Sequence, residues 1–369
     1  MSVARPVRVG IVGANPHRGW AHDAHIPALR ALPGFDITAL STTRQESADA
    51  SAQAFGIEHA FADHNDLVAH PDVDLVVVTV KVEHHLEIAS AALRAGKSVY
   101  SEWPLGRNVG EARALVELAA HHGSRTLVGL QGRFSPQVMH ARDLIAEGYV
   151  GEVLSTTLVG TGAVGGTTDQ GNAYQLDKAN SAGLLKLVAA HSLDLVDQVL
   201  GRFTELSARL DTRRPDVQVV ETGERLRRTS ADQVAVIGRL ESGTTATMHF
   251  REGIEGGEGF LWEINGTAGT LQLRAASGHP GMFPVTLTGS RGRDSLAEIA
   301  VPARYDQQTP GIDSLLGTPA HNIARLYNAF ATDLATGTRV APGFDQALAA
   351  QATVAVIEEA ASSGARIAL

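Results

Sequence analysis

The residues able to do chemistry gather at a few points along the chain. The first is the run Gly13-Ala14-Asn15-Pro16-His17-Arg18-Gly19-Trp20, which follows a short β-branched stretch. Glycines between a strand and a helix let backbone N–H groups approach a pyrophosphate. The run is not a clean G-x-G-x-x-G: Asn15 stands in the second glycine's place and one extra residue precedes Gly19. Asparagine tolerates positive φ, so the turn is expected to survive. The second point is Ser41-Thr42-Thr43-Arg44, where a dinucleotide fold usually offers an acid to the ribose hydroxyls. Hydroxyls and a guanidinium there suit a 2′-phosphate, so the expected cofactor is NADP or NAD, with NADP favoured; the plainer reading is that Arg44 opens the next helix in solvent. A third point is Glu102-Trp103-Pro104, and a fourth is His191, whose imidazole is a proton carrier suited to neutral pH. Trp20 and Trp103 both follow strand-to-helix turns, where an indole can stack on a nicotinamide or sugar ring or simply fill the core.

Lysine occurs only at 81, 97, 178 and 186. Lys81 follows an apolar strand at the end where ligands of a doubly wound sheet collect, which makes it a possible auxiliary to His191; a solvated charge or a phosphate contact is the alternative. Lys186 lies five residues before His191 and points away from its face. The pairs His84-His85 and His121-His122 point to different sides of a helix, and no metal centre is expected, although His22, Asp23 and His25 have a spacing that allows one.

These residues need a scaffold. Residues 7–129 alternate β-branched runs with Ala/Leu-rich stretches, the pattern of repeated βαβ units and a parallel sheet. Strands are expected at Arg8–Val12, Asp36–Leu40, Leu75–Val80, Ser98–Ser101 and Thr126–Gly129, with helices such as Glu83–Ala95 and Gly110–His121 between them. After residue 130 come a helix at Pro136–Glu147, a strand at Val153–Val159, a mobile glycine-rich loop at Gly160–Gly171 and a helix at Gly183–Leu200. Closely spaced strands follow at Thr204–Leu210, Val234–Leu240, Thr244–Phe250, Leu261–Asn265 and Thr270–Arg274, and the chain closes with helices at Asn322–Thr336 and Phe344–Ser363. The stretch Asp211–Asp232 reads as a loop. The expected fold is therefore α/β: a Rossmann dinucleotide-binding domain over 1–130 and an α+β domain over 131–369 with a large, mostly antiparallel open sheet.

Composition sets the outer limits. With 369 residues, 44% apolar and 19% charged, the chain has globular composition and length for two domains. A formal charge of −9 without a basic face argues against direct nucleic-acid binding. The absence of cysteine excludes disulfides and thiol chemistry and suits a reducing compartment. The N-terminal apolar run is too short for a signal peptide or a membrane span, so a cytoplasmic location and no membrane partner are expected.

The chain resembles the Gfo/Idh/MocA family over nearly its whole length. The resemblance rests on GIVGAN at 10–15, HIPAL at 25–29, the segment from His85 through AGKSVYSEWPL at 95–105, LQGRFSP at 130–136, His191 with Asp194, and NGTAGTL at 265–271. Within the family it is similar to the galactose-repressor-like subgroup, through GxN…GWA at 13–21, EW at 102–103, LQGR at 130–133 and HNIARLY at 321–327. The resemblance implies a nicotinamide cofactor held by Gly13, Asn15, Gly19, Trp20, Ser41, Thr42, Arg44, Glu102 and Trp103. It also implies hydride transfer at a hydroxyl or carbonyl carbon of a sugar or polyol; the open sheet of the second domain is expected to supply the substrate wall and a dimer interface, hence a homodimer or higher homo-oligomer. It gives His25 no metal role. Two departures cut across it. Family members carry Glu-Lys-Pro where this chain has Glu102-Trp103-Pro104, and indole has no proton to exchange near neutral pH. They also place an acid four residues before the histidine, where this chain has Leu187. His191 is left as the proton carrier, and a nucleotide-binding sensor or regulator that has lost the chemistry is the alternative function. Arg133 and Gln131 follow the last strand of the first domain, and Arg133 is expected to anchor its loop.

Overall fold

The computed structural model describes residues 5–254, 256–306 and 309–369. They form two compact units, Met1–Gln131 with Gln308–Ala349 and Gly132–Gln307 with Ala350–Leu369.

The first unit is built on six parallel strands: β1 (Val7–Val12), β2 (Phe35–Ser41), β3 (His59–Phe61), β4 (Leu75–Val78), β5 (Ser98–Ser101) and β6 (Thr126–Val128). Their order is β3-β2-β1-β4-β5-β6. Chain direction across the sheet therefore reverses between β1 and β4, which opens a crevice beyond their C-terminal ends. All four residues of β4 are buried, as a central strand covered on both faces requires. It stops at Val78 and not at the expected Val80, because Thr79 turns to give both its N–H and its hydroxyl to the Val12 carbonyl, at 3.1 and 2.8 Å. Helices cross between strands with clear end signals. Val109–His122 starts on Asn108, whose side chain accepts the Glu111 N–H, and ends on the left-handed Gly123.

One difference from the expected division concerns the tail. Residues 308–349 join the first unit and not the second. Their helix Ala320–Thr336 carries Tyr327 into a buried group with His25, Phe35 and Tyr100, with ring centroids 5.1–5.8 Å from its own. Burial of these aromatics holds the returning segment in place.

The second unit opens with the helix Pro136–Ala146 and continues through β7 (Val153–Gly162), β8 (Thr167–Thr168), the helix Ala190–Leu200 and β9 (Phe203–Asp211). Then follow β10 (Asp216–Val219), β11 (Arg225–Arg227), β12 (Gln233–Leu240), β13 (Thr245–Glu252), β14 (Phe260–Gly266), β15 (Gly269–Ala275), β16 (Thr286–Arg291), β17 (Ala297–Glu298) and the terminal β18 (Ile367–Ala368). Nine of these strands form one sheet, β17-β16-β15-β14-β7-β13-β12-β9-β18, in which only β7 and β13 run parallel. Its inner face, with Trp262, Phe250, Met248 and Leu271 buried, is the core.

Two stretches expected as loops are partly strand. β7 runs on through Gly162, and Thr167–Thr168 pairs with β10, so the expected loop Gly160–Gly171 is shorter. Within Asp211–Asp232, β10 and β11 pair and close a small sheet with β8 over Val164, Leu176 and Val217. Charged and polar outward residues (Asp216, Gln218, Arg225 and Arg227) hid that alternation in the sequence. Behind the small sheet Arg228, Asp232 and Glu252 are buried together. The Arg228 guanidinium stands 2.8 Å from Glu252 and 3.5 Å from Asp232, and Asp232 accepts the N–H groups of Arg213 and Arg214.

Candidate functional site

In the first unit the strand ends carry the expected nucleotide residues. Gly13 has φ +100°, and a Cβ there would lie 2.7 Å from Val80 Cγ1, so only glycine lets β1 turn against the end of β4. Asn15 works differently from expectation. It is not at positive φ; among the described residues Ser181 is the one non-glycine that is. Instead its Oδ1 accepts the His17 N–H at 2.9 Å, an Asx turn that shapes the loop up to Gly19. Trp20 begins a π-turn, Ala21–His25, and its Nε1 is a buried donor with no acceptor.

Ser41, Thr42 and Arg44 are not alike. Ser41 is 1% exposed, and its carbonyl accepts the Gly13 N–H. The Thr42 hydroxyl is engaged with the Arg44 carbonyl and Ser47 Oγ, at 3.0 and 2.6 Å. Arg44 is exposed, in extended backbone at the start of the helix Gln45–Phe55.

After β5, Glu102 accepts a hydrogen bond from His25 Nε2 at 2.8 Å, and His25 Nδ1 accepts one from the Tyr327 hydroxyl at 2.7 Å. Burial, reinforced by the Glu102 charge, holds the Tyr327 hydroxyl well above its usual value, so it keeps the proton it donates. Gly129 leaves room for the carboxylate, since a Cβ there would lie 2.3 Å from Glu102 Oε2. His25 is thus a fixed support for Glu102 and is not available with His22 and Asp23 for a metal. Trp103 is 5% exposed and joined to Pro104 by a cis peptide. His85 sits with Nδ1 2.8 Å from the Pro104 carbonyl and Nε2 2.9 Å from that of Val80, tying the ends of β4 and β5 together; burial lowers its pKa. Lys81 is exposed just before the short turn Val82–His84.

This half of the molecule fits a dinucleotide. Gly13 makes the close backbone approach, and two orphaned polar atoms, Trp20 Nε1 and Gln131 Oε1, lie buried in the loops after β1 and β6.

In the second unit, His191 lies in the first turn of the helix Ala190–Leu200, directly after a π-turn over Leu184–Ala189. Such turns recur at functional sites because they re-aim the side chains beyond them. His191 is 8% exposed and lies against His279, ring centroids 3.8 Å apart and planes inclined by 40°. Burial, with the neighbouring imidazole adding to it, holds His191 well below its usual pKa, so the ring is neutral at pH 7. His279 was not among the residues singled out; the only sequence hint was its place in the turn-forming His279-Pro280-Gly281.

Arg133 anchors as expected, through a two-pronged pair with Asp194 at 2.8 and 2.5 Å. Burial raises Asp194, and raises Asp197 one turn on to about 6, with Arg133 acting against both. Lys186 is paired with Glu358 at 3.2 Å, away from His191.

Comparison with known proteins agrees with this division. Residues 7–130 match the oxidoreductase family with an NAD-binding Rossmann fold, and residues 136–275 match the C-terminal domain of Gal80p. The chain is 31% identical over 295 residues to dehydrogenase aclE of Aspergillus oryzae, covering 74% of this chain and 78% of that protein. It is 27% identical over 330 residues to the galactose/lactose metabolism regulatory protein GAL80 of Saccharomyces cerevisiae, covering 83% of this chain and 74% of the regulator. Its fold matches a levoglucosan dehydrogenase solved in complex with NADH and levoglucosan, with a TM-score of 0.85 at 22% identity over 99% of both chains. Among the described residues no helix is long and apolar enough to cross a membrane.

Proposed function

Because this chain belongs to the Gfo/Idh/MocA family of NAD-binding oxidoreductases, we propose that it oxidises or reduces a hydroxyl or carbonyl carbon of a sugar or polyol, with His191 as the proton carrier. The observation that carries this reading is the buried His191 ring, held neutral by desolvation and by His279. A neutral imidazole accepts the hydroxyl proton as the carbon is oxidised and returns it in reduction. The nicotinamide, when bound, supplies the hydride acceptor or donor. Gly13, Asn15 and Gly19 shape the pyrophosphate loop, Trp20 and Glu102 with Trp103 line the strand ends, and exposed Arg44 with Thr42 favours a 2′-phosphate, hence NADP over NAD. Ser41, buried, contributes through its backbone. Lys81 is an auxiliary contact whose exposed ammonium suits a phosphate or the substrate oxygen. Resemblance to levoglucosan dehydrogenase supports a sugar-like substrate, and the cysteine-free composition supports a cytoplasmic setting.

A second reading, a nucleotide-binding regulator without turnover, is favoured by Trp103 and Leu187 at the positions where the family pattern has lysine and an acid. Reduced-nicotinamide absorbance with a panel of sugars and polyols distinguishes the two. Turnover in the parent and a loss of about 10²-fold or more in His191→Ala support the enzyme. Calorimetric binding of the nucleotide with no turnover on any substrate supports the regulator, and an active His191→Ala variant removes the assigned role.

The outer face of the nine-stranded sheet is read as the contact between two copies. At its centre Thr157, Val159, Ala235, Ser207 and 54%-exposed Ile237 line a depression of about 440 Å³ that Arg209 and His249 also border. Arg209, Arg239 and Glu205 stand on the same face by register, so a copy turned by a two-fold axis meets charges of both signs. Sedimentation should show an oligomer in the parent and a monomer in Ile237→Lys.

A further inference from the structure

We propose that His59, His70 and Asp72 form a binding site on the first unit for a single transition-metal ion of the Zn²⁺ class. One donor atom from each lies within 4.8 Å of the other two. Two imidazole nitrogens and a carboxylate oxygen are a donor set that zinc accepts, with water completing the tetrahedron. Bonds of about 2.0–2.2 Å place neighbouring ligand atoms about 3.4 Å apart in such a site. The three groups therefore need to close by no more than about 1.4 Å.

The way these groups are supported separates them from a chance meeting of surface side chains. His70 and Asp72 lie in the turn between the helix His64–Ala69 and β4. The Lys97 ammonium donates to the carbonyls of His70 and Val73, at 2.9 and 2.7 Å, and the Thr38 hydroxyl donates to that of Asp72 at 2.6 Å. His59 opens the edge strand β3, and its ring stands 4.2 Å from that of His70, with the Phe61 ring 5.6 Å from His70. The bonds from Lys97 and Thr38 fix the backbone turn that carries His70 and Asp72. Two existing contacts must accommodate the ion. The Asp72 N–H bond to His70 Nδ1 is long, 3.2 Å, and yields if the metal takes that nitrogen. Arg8 ion-pairs with Asp72 but also holds Asp74 through two bonds, at 3.0 and 2.9 Å, so its charge stays paired when Asp72 turns to a cation. None of these residues belongs to the nucleotide loops or to the His191 region, so the proposal does not depend on the catalytic reading.

The test is calorimetric titration of the metal-stripped full chain with Zn²⁺. The parent should take up one ion. The double variant His59→Gln/His70→Gln should bind at least about 10-fold more weakly, since even loss of an outer-shell partner costs 10–100-fold. A control at the exposed pair beside a helix end, His121→Gln/His122→Gln, should match the parent. Co²⁺ in place of Zn²⁺ should give the visible bands of a four-coordinate site in the parent and lose them in the double variant. Far-ultraviolet dichroism checks folding, and the single His59→Gln change at the sheet edge replaces the double variant if that one does not fold. No uptake by the parent, equal affinity in the His59 variants, or an equal loss in the control overturns the proposal.

Discussion

Replacing Glu252 by glutamine should make the second unit more stable at alkaline pH and change it little in acid. Arg228 is flanked by two buried carboxylates, and Asp232 suffices to neutralise it. Burial, opposed by Arg228 and reinforced by the Asp232 charge, raises Glu252 from 4.5 to about 7. An unfolded chain releases this proton near pH 4.5, while the folded one keeps it until about pH 7. Across that window folding takes up a proton, so the group's contribution to stability falls as pH rises and levels off above about 7. A gap of about 2.5 between the two values, at 1.36 kcal/mol per unit, sets an upper limit of about 3 kcal/mol. Glutamine keeps the shape of the protonated acid without the charge. Denaturant unfolding of parent and Glu252→Gln at pH 5 and pH 8.5, followed through buried Trp262, should show near equality in acid and a gain for the variant in base approaching that limit. Asp197, raised to about 6 for the same reason, contributes a slope below pH 6 that parent and variant share. A variant equally destabilised at both pH values would refute the reasoning, because it would mean that Arg228 requires both carboxylates in their charged forms.

Arg133→Met should cost about 3–5 kcal/mol at pH 7 by leaving buried Asp194 without its partner. The loss should shrink as pH falls, because burial favours the protonated form of Asp194 once its partner is gone, and unfolding curves at pH 7 and pH 5 check the sign. Arg44→Ala should reduce affinity for NADP with little change for NAD, and paired calorimetric titrations in which both nucleotides weaken equally would count against the 2′-phosphate contact.

The readable part of the sequence was what local pattern encodes. β-branched runs separated by Ala/Leu stretches located five of the six strands of the first sheet, and Gly13 stood where β1 had to turn. The terminal helix Phe344–Ser363 was legible to the residue, from its long uninterrupted run without glycine or proline. β3 was missed because His59–Phe61 is three residues long and offers no alternation to count. The strands within 211–232 were missed because outward-facing charges masked their buried partners. The site divides in the same way. His191 was visible as a lone helix histidine, but the burial that lowers its pKa and the added effect of His279, some ninety positions later in the chain, are products of the fold that no spacing rule reveals. Asn15 was read as shaping the turn through positive φ, but its side-chain oxygen and not its backbone angle shapes the loop. The His25–Glu102 bond was equally hidden, as it needs the π-turn after Trp20 and a tyrosine some three hundred residues downstream.

That tyrosine also bears on how the protein is made. The nucleotide-binding unit is written in two pieces, and the second, carrying Tyr327, is synthesised after almost all of the other unit. A nascent chain that has produced the six parallel strands still lacks the helix that covers Phe35, Tyr100 and His25, so these groups stay open to water while some two hundred further residues emerge. At 5–20 residues per second that interval lasts on the order of ten seconds or more. The other unit also waits for the end of the chain, since Ala350–Leu369 completes it, and excising residues 1–130 as a free-standing nucleotide binder would discard part of its own core.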